Sequence, residues 1–128
     1  MNENDISKIV VDSALKVHKA LGPGLLESVY EEILSHELTK RGLHIERQMP
    51  VEVIYENSKL EIGFKLDILV NKLLIIEIKA TEEIAPVHQK QLLTYLRLKN
   101  LKLGLLINFN VPVLRLGIRR LVHPSLLS

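Results

Sequence analysis

Hydrophobic spacing changes period at Gly42, and that change restricts the chain to a mixed α/β architecture. Before it, Ile6, Ile9, Val10, Ser13, Ala14, Val17 and Leu21 recur at helical spacing, which predicts an amphipathic helix over 4–20. Leu21-Gly22-Pro23-Gly24 breaks that helix. A second one follows over 25–41, with Leu26, Val29, Tyr30, Ile33, Leu34 and Leu38 on its apolar face, and Gly42 stands where a helix C-cap glycine belongs. Beyond Gly42, Val51, Val53 and Tyr55 alternate with polar residues, as in a strand with one wet face. Glu56-Asn57-Ser58-Lys59 reads as a turn, 60–70 as a second strand, Asn71-Lys72 as a tight turn and 73–80 as a third strand. Leu73-Leu74-Ile75-Ile76 is apolar on consecutive positions, the mark of a central strand covered on both faces. Pro86 suits the first turn of a helix reaching Asn100. A nearly all-apolar strand over 103–109 and a weaker one over 113–122 come next, and Pro124 and a short tail end the chain. The expected product is one domain over 1–128, a central mixed sheet with helices on its faces.

Size and composition agree with that reading and remove several chemistries. A chain of 128 residues, 47% hydrophobic and 25% charged, can bury one core and is neither disordered nor fibrous. Cysteine is absent, which excludes disulfides, thiolate metal sites and a thiol nucleophile. No apolar run approaches the roughly 18 residues of a membrane span, and Met1–Ser7 is polar, so no membrane association and a cytoplasmic location are expected. Gly22-Pro23-Gly24 lacks the third glycine and the preceding strand of a dinucleotide fingerprint. The five histidines show no close metal-ligand spacing, and His18 suits a packed role. The net charge of +2 hides an asymmetry: residues 1–83 carry −5, whereas 84–128 carry +7 and no acid. Such a distribution either marks a polyanion partner or merely solvates a surface.

Three charged residues intrude on the apolar strands. Asp67 interrupts Phe64–Val70, and Glu77 and Lys79 interrupt Ile75–Ala80. Aspartate is depleted in strands, and a charge beside a core is costly unless paired or metal-bound. Residues 77 and 79 share a face because strand side chains alternate. Asp67 can neighbour Glu77 across the tight turn. Two carboxylates, with a backbone carbonyl such as that of Ile78 and waters, make a hard oxygen site for Mg²⁺. A bound divalent ion lowers the pKa of a water and stabilises charge on a phosphate, while the lysine can hold the phosphate or the attacking oxygen. With 12 Glu and 11 Lys, a Glu-x-Lys arises about once by chance, so only the strand context gives it weight. The alternative is a structural ion pair of Lys79 with Asp67 or Glu77.

His88, Gln91 and Tyr95 fall on one face of the third helix. Gln91 and Tyr95 there either orient substrate or serve as ordinary boundary residues. Glu27 follows the glycine turn at the start of the second helix, where the helix dipole alone would favour a carboxylate.

At these residues the chain resembles a known group. Gly24-Leu25-Leu26-Glu27-Ser28-Val29-Tyr30 matches the signature of the GxxExxY protein family, and His18-Lys19-Ala20-Leu21-Gly22-Pro23-Gly24, Glu46-Arg47-Gln48, Asp67-Ile68-Leu69-Val70, Gln91-Leu92-Leu93-Thr94-Tyr95-Leu96 and Leu103-Gly104-Leu105-Leu106-Ile107-Asn108-Phe109 are similar to it in the same order. That family is placed in the PD-(D/E)XK nuclease superfamily. The resemblance implies a restriction-endonuclease-like fold with α-α-β-β-β-α-β order. It assigns Asp67, Glu77 and Lys79 to the Asp…Glu-x-Lys motif and Glu27 to the helix glutamate aimed at the metal. Gln91 and Tyr95 resemble the Gln-x-x-x-Tyr element of the RecB-like branch. Many relatives carry Arg where this chain has Lys65, which keeps the charge and loses bidentate contacts.

The function expected is a Mg²⁺- or Mn²⁺-dependent nuclease acting on DNA or RNA. In it Glu27, Asp67 and Glu77 ligate metal, and Lys79, Gln91 and Tyr95 act on substrate. The alternatives are a non-catalytic nucleic-acid-binding module and an interaction protein that forms a homodimer. Aromatic residues are only 4% of the chain, which favours backbone contacts over base stacking.

Overall fold

The computed structural model describes residues 1–123. Helices α1 (Glu3–Leu21) and α2 (Glu27–Lys40) lead into strands β1 (Ile45–Tyr55), β2 (Ser58–Val70) and β3 (Leu74–Lys79). Helix α3 (Pro86–Lys99), β4 (Leu103–Asn108), a 3₁₀ turn (Leu114–Gly117) and β5 (Ile118–Val122) complete the order. Asn2 caps α1: its side chain accepts from the Asp5 N–H at 2.9 Å, and Asp5 accepts from the Asn2 N–H at 3.0 Å. Helix α2 ends in a Schellman turn, with Gly42 N–H donating to the Thr39 carbonyl and Leu43 N–H to that of Leu38. Gly42 therefore sits one position past the cap residue, Arg41, at φ 88°.

The five strands lie in the order β1-β2-β3-β4-β5. Only β3–β4 is parallel, with α3 as its crossover; the other three pairings are antiparallel. Helices α1 and α2 cover one face through Ile6, Val10, Tyr30 and Leu34, against Ile76, Ile78, Leu105 and Ile107. Helix α3 covers the other through Leu92, Tyr95 and Leu96, against Ile75 and Leu106. Strands β3 and β4 are thus buried on both faces, as their unbroken apolar runs require.

Two elements depart from the periodicity. Strand β1 begins at Ile45 rather than Val51, because a register shift near Pro50 and a left-handed Gln48 (φ 52°) disturb its alternation. The first half of 113–122 is a 3₁₀ turn, and only Ile118–Val122 is strand. Pro124 and the tail lie outside the described residues.

The turn before β5 ends on a tightly packed glycine. A Cβ on Gly117 would stand 2.3 Å from the Asn108 carbonyl oxygen. Asn108 is itself buried, and its side chain accepts from the Thr81 N–H at 3.1 Å and donates to the Thr81 carbonyl at 2.8 Å. It thereby clamps the loop that follows Lys79. Gly117→Ala should cost on the order of 2 kcal/mol, read as a lowered midpoint in urea; an unchanged midpoint would contradict the close approach.

No helix among the described residues is long and apolar enough to cross a membrane.

Candidate active site where β2 and β3 diverge

The β2–β3 ladder pairs Val70 with Leu74, Leu69 with Ile75 and Ile68 with Ile76, then stops. Asp67 and Glu77 are next in that register. Their side chains take over from the backbone: Asp67 Oδ2 accepts from the Ile78 N–H at 2.8 Å, and Glu77 Oε1 accepts from the Asp67 N–H at 3.4 Å. Strand β3 stays paired with β4 through Lys79, opposite Asn108, so β2 is the partner that peels away. A wedge lined by two carboxylates opens between them.

The wedge is hostile to two negative charges. Glu77 is only 7% exposed, and burial, with the Asp67 charge second, pushes its carboxyl up to about 9. Burial also raises Asp67, against the opposing bond from Ile78 N–H. Near neutral pH the pair therefore retains a proton. Lys79 lies in the field of both carboxylates and favours their charged forms. A salt bridge from Lys79 to either one, the structural alternative, is absent among the described residues.

Helix α3 supplies a third wall. Tyr95 is buried, and burial, then the fields of Glu77 and Asp67, push its hydroxyl up to about 12. A hydrogen bond with the Gln91 side chain opposes that shift. Gln91 and Tyr95 thus stand together beside the carboxylates. His88 does not join them: its Nδ1 accepts from the Ala85 N–H at 3.3 Å, at the start of α3.

Glu27 is less committed. It opens α2, is exposed, and lines a cavity of about 400 Å³ together with Ser28, Glu31, Gln48, Asp67 and Ile78. Glu31, one turn on, is the buried carboxylate of that wall. It accepts from Arg47 Nε at 3.0 Å, Arg47 Nη2 at 2.8 Å and Gln48 Nε2 at 2.6 Å. Gln48 Nε2 also lies 3.5 Å from Asp67 Oδ1, linking α2 to the wedge. Sequence reasoning did not single out Glu31, and it named Gln48 only within the resembling stretch Glu46-Arg47-Gln48. A signal for Glu31 existed, a carboxylate on the same helix face as Glu27 beside Tyr30 and Leu34. Periodicity gave Gln48 no role, because its left-handed backbone (φ 52°) breaks the alternation of β1.

Left-handed backbone is costly for any residue with a Cβ. Gln48→Gly should therefore melt above Gln48→Ala, by about 1 kcal/mol in stability, although both lose the side chain. The reverse order in paired thermal melts would contradict the geometry at Gln48.

In donor chemistry the site fits a hard divalent cation. Asp67, Glu77 and the glutamates of α2 are all oxygen donors, and a cation would offset the charge that burial now suppresses by protonation. Among the described residues no three His, Asp or Glu groups are already gathered as ligands, so Asp67 and Glu77 are a pair rather than a finished cage.

The family model for the PD-(D/E)XK nuclease superfamily matches residues 4–121. The chain belongs to that superfamily. No curated protein and no solved structure matches it. The mixed sheet flanked by helices is the restriction-endonuclease-like fold of the PD-(D/E)XK superfamily, whose nucleases typically use divalent metals. Asp67, Glu77 and Lys79 all lie within the matched residues, and Leu66 precedes the aspartate.

The basic C-terminal segment does not form one face around this motif. Arg120 bonds Asn4 and Ser7 on the α1 side. Lys90 and Arg97 line a cavity beside Thr94 and Val122, and Arg119 lines another with Glu82 and Glu83. Successive residues of β5 point to opposite faces, which divides the charge.

Proposed function

We propose that this chain is a divalent-cation-dependent phosphodiesterase acting on nucleic acid in the cytoplasm, of GxxExxY type and folded as one domain over 1–128. The observation that carries the reading is the wedge: Asp67 and Glu77 replace a ladder pair, and Lys79 follows two residues later without a salt bridge among the described residues. Asp67 and Glu77 would hold Mg²⁺ or Mn²⁺, with Glu27 contributing directly or through water. When bound, the ion neutralises charge at the scissile phosphate and makes a water more acidic.

The chain's own groups divide the remaining work. The Lys79 ammonium stabilises negative charge on the attacking oxygen or the phosphate. Tyr95 keeps its proton at neutral pH and so donates a hydrogen bond, and Gln91 orients it. Glu31, tied to Arg47 and Gln48, holds the wall that Asp67 faces.

The test is degradation of single- and double-stranded DNA and RNA in Mg²⁺ or Mn²⁺. Cleavage by the wild type that is lost in Lys79→Ala is expected. No degradation of any substrate would overturn the reading, and equal activity in Lys79→Ala would assign the activity to a contaminant.

A further inference from the structure

The chain has five aromatic residues of the Phe and Tyr types, and the structure uses them unequally. Tyr30 and Phe109 stack in the core with ring centres 4.4 Å apart. Tyr95 is buried beside the carboxylates. Tyr55 and Phe64 are exposed, both on the β1–β2 hairpin. Phe64 leaves 50% of its surface open, and its ring centre lies 6.2 Å from that of Tyr95, tilted by 48°. A scattered surface phenylalanine needs no explanation. Phe64 differs in position, because the ring that supports it, Tyr95, lies in the electrostatic field of both Asp67 and Glu77. A half-exposed aromatic residue therefore adjoins the candidate active site.

We propose that Phe64 is a stacking platform for an unpaired base flanking the phosphate that the wedge receives, so that the substrate is single-stranded or frayed rather than fully paired. The inference rests on the nuclease reading and names its substrate class. In a duplex both faces of a base are occupied by its neighbours. An unpaired base offers a free π-face to an aromatic ring, whatever its identity. Phosphate contacts alone would not distinguish the two forms in this way. Phe64 would thus add strand-state selectivity without sequence selectivity.

The chain contains no tryptophan, so Phe64→Trp places a single indole at the platform. The variant is titrated in Ca²⁺ with a single strand, the matching duplex and an abasic strand of equal length. Quenching of indole emission by the single strand, and not by the other two, is expected. Phe64→Ala should weaken single-strand binding about tenfold and leave duplex and abasic binding unchanged. Absence of quenching, or equal quenching by abasic strand or duplex, would overturn the proposal. So would an emission change that follows protein concentration without nucleic acid, which would mark a self-association surface. Wild-type cleavage of the same strands separates the two readings. Cleavage without quenching removes the platform and keeps the nuclease; quenching without cleavage keeps the platform and removes the nuclease; neither removes both.

Discussion

Lys79→Ala should reduce phosphodiester cleavage by about 100-fold or more, with little change in melting temperature. Lys79 is half-buried in β3, and no salt bridge uses its ammonium among the described residues. Removing it therefore breaks no salt bridge. What is lost is a positive charge beside the place where negative charge develops, and in a partly dry site such a donor is worth far more than in water. Divalent-ion affinity should be retained or slightly raised, since Lys79 competes for the field of Asp67 and Glu77. Initial rates on one oligonucleotide, paired with a thermal melt, check this. A fall in melting temperature matching the fall in rate would make Lys79 structural.

Glu77→Gln should abolish cleavage yet leave a protein at least as stable as the wild type above neutral pH. The sign follows from the direction of the shift. Glu77 is raised to about 9 in the folded chain, from an unfolded value near 4.3. Below the unfolded value its contribution to stability is fully present. As pH rises toward the folded value, the folded chain keeps a proton that the unfolded chain has released, and stability falls. In metal-free wild type the melting temperature should therefore decline between about pH 5 and pH 9. In Glu77→Gln, whose amide cannot ionise, the decline should be smaller, so the two curves separate as pH rises. Mn²⁺ should restore the wild-type loss and leave the variant unchanged, because the carboxylates bind a cation in their ionised forms. Parallel curves for the two proteins would show that Glu77 does not carry the strain of this site.

The fold was legible where burial is two-sided or a helix is amphipathic. The apolar runs at 74–76 and 103–107 became β3 and β4, and Pro86 opened α3 as its φ restriction favours. What stayed hidden depended on contacts between distant segments. The early start of β1 was masked by Pro50 and the left-handed Gln48. The 3₁₀ turn before β5 brings Gly117 against the Asn108 carbonyl, a neighbour nine residues away that periodicity cannot report.

The candidate site divides along the same line. Asp67, Glu77 and Lys79 stood out because each violates an apolar strand, and the structure brings the two carboxylates together with Lys79 in their field. Gln91 and Tyr95 share a helix face, and that face does meet the wedge. Glu31 and Gln48 could not be weighted properly, since their place is set by packing α2 on β1. The charge asymmetry of the sequence is divided in space: alternation along β5 sends Arg119 and Arg120 to different sides.

The central claim is that Asp67 and Glu77 are kept together at a cost that a divalent cation relieves. The most direct measurement is a calorimetric titration of Mn²⁺ into the wild type and into Asp67→Ala. A binding isotherm for the wild type that vanishes in Asp67→Ala is the predicted result. No binding to the wild type, or equal binding to both proteins, would contradict it.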